Sequence, residues 1–173
     1  MRLSALLFLA ILNATAGDAA FAADPALRIE GVAGRDGVAK AALQLSLADI
    51  AAMPRTSLKA KTHDGKEHTF EGVAVAEVLH SAGLPQAEDV RGPMLARYIL
   101  VSAHDGYRAI FSLPELDPAF TDNRALLADK MDGQPLSDRD GPLRLVLPNE
   151  KREARWVRML ERIEILAAPD TVR

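Results

Sequence analysis

Cysteine is absent from the 173-residue sequence. Without a thiol the chain can form no disulfide, cannot hold a metal through thiolates and has no cysteine nucleophile. Tryptophan is nearly absent too, and Trp156 is the single one in the sequence. We expect Trp156 to pack against a sheet rather than to serve as an exposed stacking platform.

An excess of one charge is also missing. The net charge is −3, and acidic and basic residues are interspersed along the chain. This balance gives no reason to expect nucleic acid or an anionic membrane as a partner. No serine–histidine–aspartate pattern, phosphate-binding loop or close carboxylate pair stands out, so the sequence assigns no catalytic residue.

The apolar run near the start, residues 3–12, falls well short of the roughly 20 residues needed to span a bilayer. Arg2 precedes it, and Ala20-Phe21-Ala22 follows, which is typical of a secretory signal cleaved after Ala22. No Arg-Arg pair is present there, which favours the general secretory route for unfolded chains. We predict a signal peptide over 1–22, one domain over 23–173, a periplasmic or secreted location and no membrane insertion after cleavage.

Hydrophobic alternation and turn residues predict short strands separated by short helices. A helix should start after Ser46 and stop before Pro54, and another, containing Val75 and Val78, should stop at Gly83. Residues 156–166 fit either a helical turn or a strand. The predicted fold class is therefore α+β, a mixed sheet or partly closed β-barrel with short peripheral helices. The predicted strands are 27–32, 58–62, 67–70, 98–103, 107–111, 124–128 and 143–147.

The pattern His-Asp-Gly-x4-Phe occurs twice, starting at His63 and at His104. Asp-Gly is typical of tight hairpin turns, because glycine accepts a positive φ without a Cβ clash. We interpret the repeat as two hairpins with the same turn chemistry. The two histidines also suggest a shared metal or anion site, but their spacing matches no standard zinc pattern, so no metal ligand is assigned.

Several segments occur in an order that resembles one family. They include Phe-Glu-Gly-Val at 70–73, Gly-Pro-Leu-Arg-Leu-Val-Leu-Pro at 141–148 and Arg-Trp-Val at 155–157. Over roughly residues 27–166 the chain is similar to the oxidoreductase molybdopterin-binding domain, the catalytic domain type of sulfite oxidases. The resemblance implies a sulfite-oxidase-like fold around a pterin cofactor.

The resemblance also implies a cysteine thiolate on the molybdenum, in the stretch ahead of Phe70. Here that stretch is 59–65 and contains no cysteine. The hydroxyl of Thr62 is less acidic and harder than a thiolate, so it is a poor substitute. Family members that carry the cofactor usually leave the cytoplasm folded, whereas the predicted signal is of the type for unfolded chains. We therefore expect no cofactor, with molybdopterin as the alternative.

A basic cluster follows Pro148 and consists of Lys151, Arg152, Arg155 and Arg158. The family resemblance places the cofactor's phosphate near this cluster, where the two N–H groups of an arginine can bind two phosphate oxygens. The alternative is a solvated face on which neighbouring glutamates balance the charge. Arg144, inside an apolar strand, must either pair with a carboxylate or point into a cleft. The predicted cofactor-binding residues are Thr62, His63, His104, Tyr107, Arg144, Arg152 and Arg155.

Two functions follow from different classes of protein. The favoured one is an exported, non-catalytic relative that binds a small ligand or a periplasmic protein. The alternative is a molybdopterin-dependent oxidoreductase that holds its cofactor without cysteine ligation.

Overall fold

The computed structural model describes residues 25–31 and 41–169. The predicted signal peptide therefore lies outside the described residues. Within the described ranges, the helices are all too short or too polar to cross a membrane.

The first sheet is built from both ends of the described chain and has the strand order β2-β1-β10-β5-β6. β1 and β10 run parallel, with Ile29 opposite Ile163, and the other neighbours are antiparallel. The alternation predicted for β1 is present, because Leu27 and Ile29 are buried. The strands are β1 (Leu27–Glu30), β2 (Leu43–Leu45), β5 (Arg97–Ala103), β6 (Arg108–Ser112) and β10 (Leu160–Ala167).

The second sheet has the order β3-β4-β7-β8, and all its pairs are antiparallel. β9 pairs with the start of β7, and β8 pairs with its end. The strands are β3 (Arg55–Lys61), β4 (Glu67–Ala74), β7 (Leu126–Met131), β8 (Gln134–Pro135) and β9 (Arg144–Val146).

Both sheets contribute to one buried hydrophobic cluster. Ile29 and Ile163 enter it from the first sheet, and Phe70 and Leu127 from the second. Trp156 is 4% exposed, meets the Phe70 ring edge-on and donates its indole N–H to the Leu147 carbonyl. The expectation that Trp156 packs against a sheet is confirmed.

Within 25–31 and 41–169, two short helices and four 3-10 turns lie around the sheets. α1 (Leu47–Ala52) begins at Ser46, which forms the predicted capping box with Asp49. α2 (Val75–Ser81) directly follows β4. The 3-10 turns are Ala87–Asp89, Gly92–Ala96, Leu113–Leu116 and Glu153–Arg155.

The structure resolves one ambiguous segment, confirms the mixed fold and leaves the partly closed barrel unconfirmed. The ambiguous segment 156–166 divides between a loop that follows the turn Glu153–Arg155 and the strand β10. The fold is the predicted mixture of sheets with few helices. The partly closed barrel is not confirmed, because the described strands form two separate sheets.

The repeated hairpins do share one geometry, but it is not the two-residue turn that Asp-Gly suggested. The Thr62 N–H donates to the Lys66 carbonyl, and the Ala103 N–H donates to the Tyr107 carbonyl, so three residues lie within each loop. The glycine of each loop, Gly65 or Gly106, has a positive φ. Three-residue hairpins of this kind need such a residue to continue the ladder.

Candidate functional site

A cleft of about 840 Å³ lies between the β3–β4 hairpin and the segment that follows β9. The hairpin supplies residues from the end of β3 and its three-residue loop, including Thr62 and His63. The other wall begins at Pro148 and continues through Ala154. The cleft therefore joins two parts of the chain that the family resemblance had singled out separately.

Three cations that line the cleft have no ion-pair partner in the part of the chain that the structure describes. Lys61, Lys151 and Arg152 are exposed, and none of them forms an ion pair with a residue in 25–31 or 41–169. Lys59 also lines the cleft, but it forms an ion pair, because its Nζ lies 3.6 Å from Glu67 Oε1. Three unpaired positive groups at one concave surface raise the local concentration of anions.

The carboxylates of the cleft do not cancel these cations, because arginines behind the wall already engage them. Glu150 accepts a hydrogen bond from Arg155, and Glu153 Oε2 accepts one from Arg144 Nη2 at 2.7 Å. Neither glutamate forms an ion pair with Lys151 or Arg152, whose side chains lie exposed on the same wall of the cleft.

Arg144 supports the wall from inside the protein. Its side chain is 7% exposed, and its guanidinium carbon lies 5.6 Å from the Phe70 ring centre and 5.4 Å from that of Trp156. Nη1 also reaches Asp140 Oδ1 at 3.4 Å. Of the two predicted situations for Arg144, pairing with carboxylates is the one found.

The two carboxylate oxygens of Glu153 differ in their contacts. Its Oε1 is buried and accepts no hydrogen bond from the described part of the chain. The group facing it is His63 Nδ1, 3.9 Å away, on a side chain that is 87% exposed. A buried acceptor without a donor is costly, so Oε1 is suited to accept a hydrogen bond from a ligand N–H that enters beside the His63 ring.

Arg155 ties the same wall to the first sheet. It donates to Glu115 Oε1 at 3.2 Å and to the Ile110 carbonyl at 3.3 Å, and lies 4.6 Å above the Phe111 ring. Burial alone would lower the pKa of Arg155, but its hydrogen bonds to carboxylates raise the pKa above the ordinary value. Arg155 is thus engaged behind the cleft and does not line it.

The hydroxyl of Thr62 is already used by its own turn. It donates to Asp64 Oδ1 at 2.5 Å, and the Lys66 N–H donates to the same oxygen at 3.1 Å. Both hydrogen bonds hold the pKa of the Asp64 carboxyl below its usual range, and the one from the Thr62 hydroxyl has the larger effect. The Thr62 oxygen is therefore a neutral turn-forming group rather than an anionic ligand.

Of the predicted site residues, the structure brings Thr62, His63 and Arg152 together in the cleft. Tyr107 lies at its edge, where its hydroxyl donates to the Ala154 carbonyl. His104 is elsewhere, in a depression on the first sheet, with Nδ1 at 3.1 Å from Glu161 Oε2.

His63 and His104 thus line different cavities and contact different carboxylates. Among the described residues, no group of three or more histidine, aspartate or glutamate side chains could hold a metal ion. The joint site of the two histidines has no support in this arrangement.

Sequence reasoning omitted Lys61, Lys151 and Glu153 from the predicted set. Lys61 had a detectable signal, because it alternates with Lys59 on the exposed side of a strand whose Ala60 is buried. Glu153 had none, since its role depends on Arg144 taking one oxygen and leaving the other.

The chain is similar to known proteins in both sequence and fold. The family model described as oxidoreductase molybdopterin binding domain matches residues 26–172. No curated protein matches the chain. Among solved structures, the sulfane dehydrogenase SoxCD from Paracoccus pantotrophus is similar, with a TM-score of 0.61 and 18% sequence identity over 80% of this chain. That overlap covers 37% of the SoxCD chain, and at this identity it shows the fold alone.

Proposed function

Because the chain belongs to the oxidoreductase molybdopterin-binding domain family, we propose that it is a non-catalytic member that binds a small anionic ligand. The proposed site is the cleft between the β3–β4 hairpin and residues 148–154. The observation that carries the proposal is that the cleft has three cations without an ion-pair partner among the described residues. The whole sequence has no cysteine with which to ligate molybdenum, which supports the non-catalytic part.

The metal end of the family's cofactor does not fit the residues present. A soft thiolate is replaced around Thr62 by hydroxyl, imidazole and carboxylate groups. The Thr62 hydroxyl is committed to Asp64, and His63 is exposed to solvent. We therefore derive no reaction through molybdenum.

The anionic end of such a ligand does fit. Lys61, Lys151 and Arg152 can each donate charge-assisted hydrogen bonds to phosphate or carboxylate oxygens. Glu153 Oε1 can accept an N–H from the same ligand. The chemistry supports a ligand with an anionic group at one end and an N–H donor at the other.

The alternative, an oxidoreductase that holds a pterin cofactor without cysteine ligation, is favoured by the same three cations. Lys61, Lys151 and Arg152 would hold the cofactor's phosphate, and the bound group would supply oxygen-transfer or electron-transfer chemistry. The two proposals share the cleft and differ in whether metal and pterin are present.

Elemental and pterin analysis of the protein purified from its own host separates them. We expect molybdenum and pterin far below one per chain. A stoichiometric content of both would overturn the non-catalytic proposal and support the alternative.

Anion binding itself is testable by calorimetry with pyrophosphate at low ionic strength. Lys61→Gln and Arg152→Gln should each weaken binding about five- to tenfold, because each removes one charge-assisted contact. Lys66→Gln is the matched control, since Lys66 lies in the same hairpin and faces Asp64 at 3.8 Å. Equal binding by all four proteins would contradict the cleft as the site.

We also propose that the protein acts outside the cytoplasm. The support is the signal pattern, with its apolar run at 3–12 and Ala20-Phe21-Ala22 before the predicted cleavage point. Intact-mass measurement of the periplasmic fraction should find a chain that begins at Ala23. Recovery of the uncleaved chain from the cytoplasm would refute this.

A further inference from the structure

A second cavity, of about 410 Å³, opens at the outer edge of the second sheet. It lies between the start of β3, the start of α2 and the loop that leads into β7. It shares no lining residue with the cleft described above. The proposed function leaves this cavity unexplained.

The walls of this cavity are largely apolar. Ala74 and Leu126 come from neighbouring strands, Leu116 and Pro118 from the segment after β6, and Leu58 from the edge strand. The volume falls within the range of small-molecule sites, which are typically apolar with a few polar groups that orient the ligand.

Two opposite charges at the cavity have no partner in the described part of the chain. Arg124 and Glu77 both line it, both are exposed, and neither forms an ion pair with residues 25–31 or 41–169. The other arginine there, Arg55, is held by both oxygens of Asp129, at 2.7 and 2.5 Å. A ligand therefore meets one free cation and one free anion.

A third polar group is also unused. The side-chain oxygen Oδ1 of Asn123 is buried and accepts no hydrogen bond within the described residues. The backbone keeps these groups together, because the Val75 N–H donates to the Ala125 carbonyl at 3.0 Å. That bond fixes the first turn of α2, which carries Glu77, beside the loop that carries Asn123 and Arg124.

We propose that this cavity binds a free α-amino acid with an apolar side chain. Arg124 would receive the carboxylate, and Glu77 together with Asn123 Oδ1 would accept hydrogen bonds from the ammonium group. The apolar walls would enclose the side chain. A simple carboxylate would leave Glu77 unpaired, and a simple amine would leave Arg124 unpaired, so the pair of charges selects the zwitterion.

Calorimetry with three probes tests this selection. L-Phenylalanine is compared with 3-phenylpropanoate, which lacks the ammonium group, and with 2-phenylethylamine, which lacks the carboxylate. We expect phenylalanine to bind at least about tenfold more tightly than either analogue, because each analogue loses one charge-assisted contact.

Charge-removing variants locate the site. Arg124→Gln and Glu77→Gln should each weaken phenylalanine binding about fivefold or more. Arg108→Gln and Glu88→Gln are matched controls, because both residues are exposed and neither lines the cavity. Circular dichroism of each variant checks that the fold is retained.

Three results would each overturn the proposal: no phenylalanine binding at several millimolar, equal binding of an analogue, or unchanged binding in both charge variants. Pyrophosphate binding is measured on the same variants and should stay unchanged. Loss of amino-acid binding alone thus separates this cavity from the anion-binding cleft.

Discussion

Arg144 is buried with its guanidinium beside the rings of Phe70 and Trp156, and it depends on Glu153 and Asp140 for counter-charge. Removing one partner of a buried pair costs more than the pair itself contributes, since a charge is left without compensation. The same glutamate lines the cleft proposed to bind an anion. A change at Glu153 should therefore affect both stability and ligand binding.

Glu153→Gln should lower the free energy of unfolding by about 2 kcal/mol, since Asp140 remains as a weaker partner for Arg144. Urea unfolding followed by tryptophan fluorescence measures the change. Glu161→Gln is the control, because Glu161 pairs with His104 at the surface and should cost about 0.5 kcal/mol or less. Equal losses for the two variants would show that Arg144 does not need Glu153.

The Asp132 carboxylate should make stability depend on pH. His68 Nδ1 lies 2.6 Å from Oδ2, the Thr69 N–H donates to Oδ1 at 2.9 Å, and these contacts, His68 first, lower the pKa of Asp132. A lowered pKa in the folded state stabilises the fold above the unfolded value of about 3.9 and loses that contribution as the pH falls through the folded value.

Asp132→Asn should therefore destabilise the protein at pH 7, and the difference from the parent should shrink steadily below about pH 4. Asparagine is the suitable replacement because Asp132 has a φ of 51°, which asparagine tolerates. Urea midpoints from pH 7 to pH 3 test this, with exposed Asp138→Asn as the control. A difference that grows as the pH falls would contradict the role of the carboxylate.

At the scale of single residues, the sequence predicts that a charged side chain requires partners, but not which residues supply them. That Arg144 required partners was predictable from its place in an apolar strand. The sequence neighbours of Arg155 suggest that it shares a phosphate site with them. In the structure Arg155 instead donates a hydrogen bond to Glu115, which lies 40 positions away in the chain. The charges left free in the cleft depend on such distant pairings, and local patterns do not contain them.

At the scale of elements, turn chemistry was the most predictable feature and its loop length the least. Asp132 and Gly133 form a two-residue turn between β7 and β8, and both residues have the positive φ that Asp-Gly accepts. The same dipeptide at 64–65 lies inside a three-residue loop, because the Thr62 N–H to Lys66 carbonyl bond closes the ladder one position earlier. The backbone pair that closes a loop, not the dipeptide, sets its length.

Gly72 of β4 lies too close to the backbone of β7 to carry a side chain. A Cβ at this position would lie 2.0 Å from the Leu127 carbonyl oxygen, since β4 and β7 are irregularly paired there. We expect Gly72→Ala to cost about 3 kcal/mol, because the clash involves backbone that cannot move aside cheaply.

Thermal unfolding compares Gly72→Ala with Gly65→Ala. Gly65 has a φ of 81° but no atom within 4 Å of an added Cβ, so we expect a loss of only about 1–2 kcal/mol from backbone strain. A milder effect at Gly72 than at Gly65 would show that β4 and β7 can separate at little cost.

At the scale of the whole molecule, the two sheets share one hydrophobic cluster and should unfold together. Trp156 reports on the second sheet through its contact with Phe70, and far-ultraviolet circular dichroism reports on both sheets. The two urea transitions should coincide. Separate midpoints would indicate that the sheets unfold independently.

Strand pairing across the whole chain could not be read from the sequence. Alternating patterns located most strands, but they equally allowed a partly closed barrel. What distinguishes the two sheets is which strands meet, and β1 meets β10 from the opposite end of the described chain. Only the buried contacts of the complete molecule select that pairing.

The position of β10 has a consequence for when the protein can fold. β10 lies between β1 and β5, so the first sheet has a gap at its centre until β10 has left the ribosome. Early strands cannot close this gap among themselves, and folding must wait for a contact between distant parts of the chain. The order of strands thus delays closure of the first sheet until β10 has been synthesised.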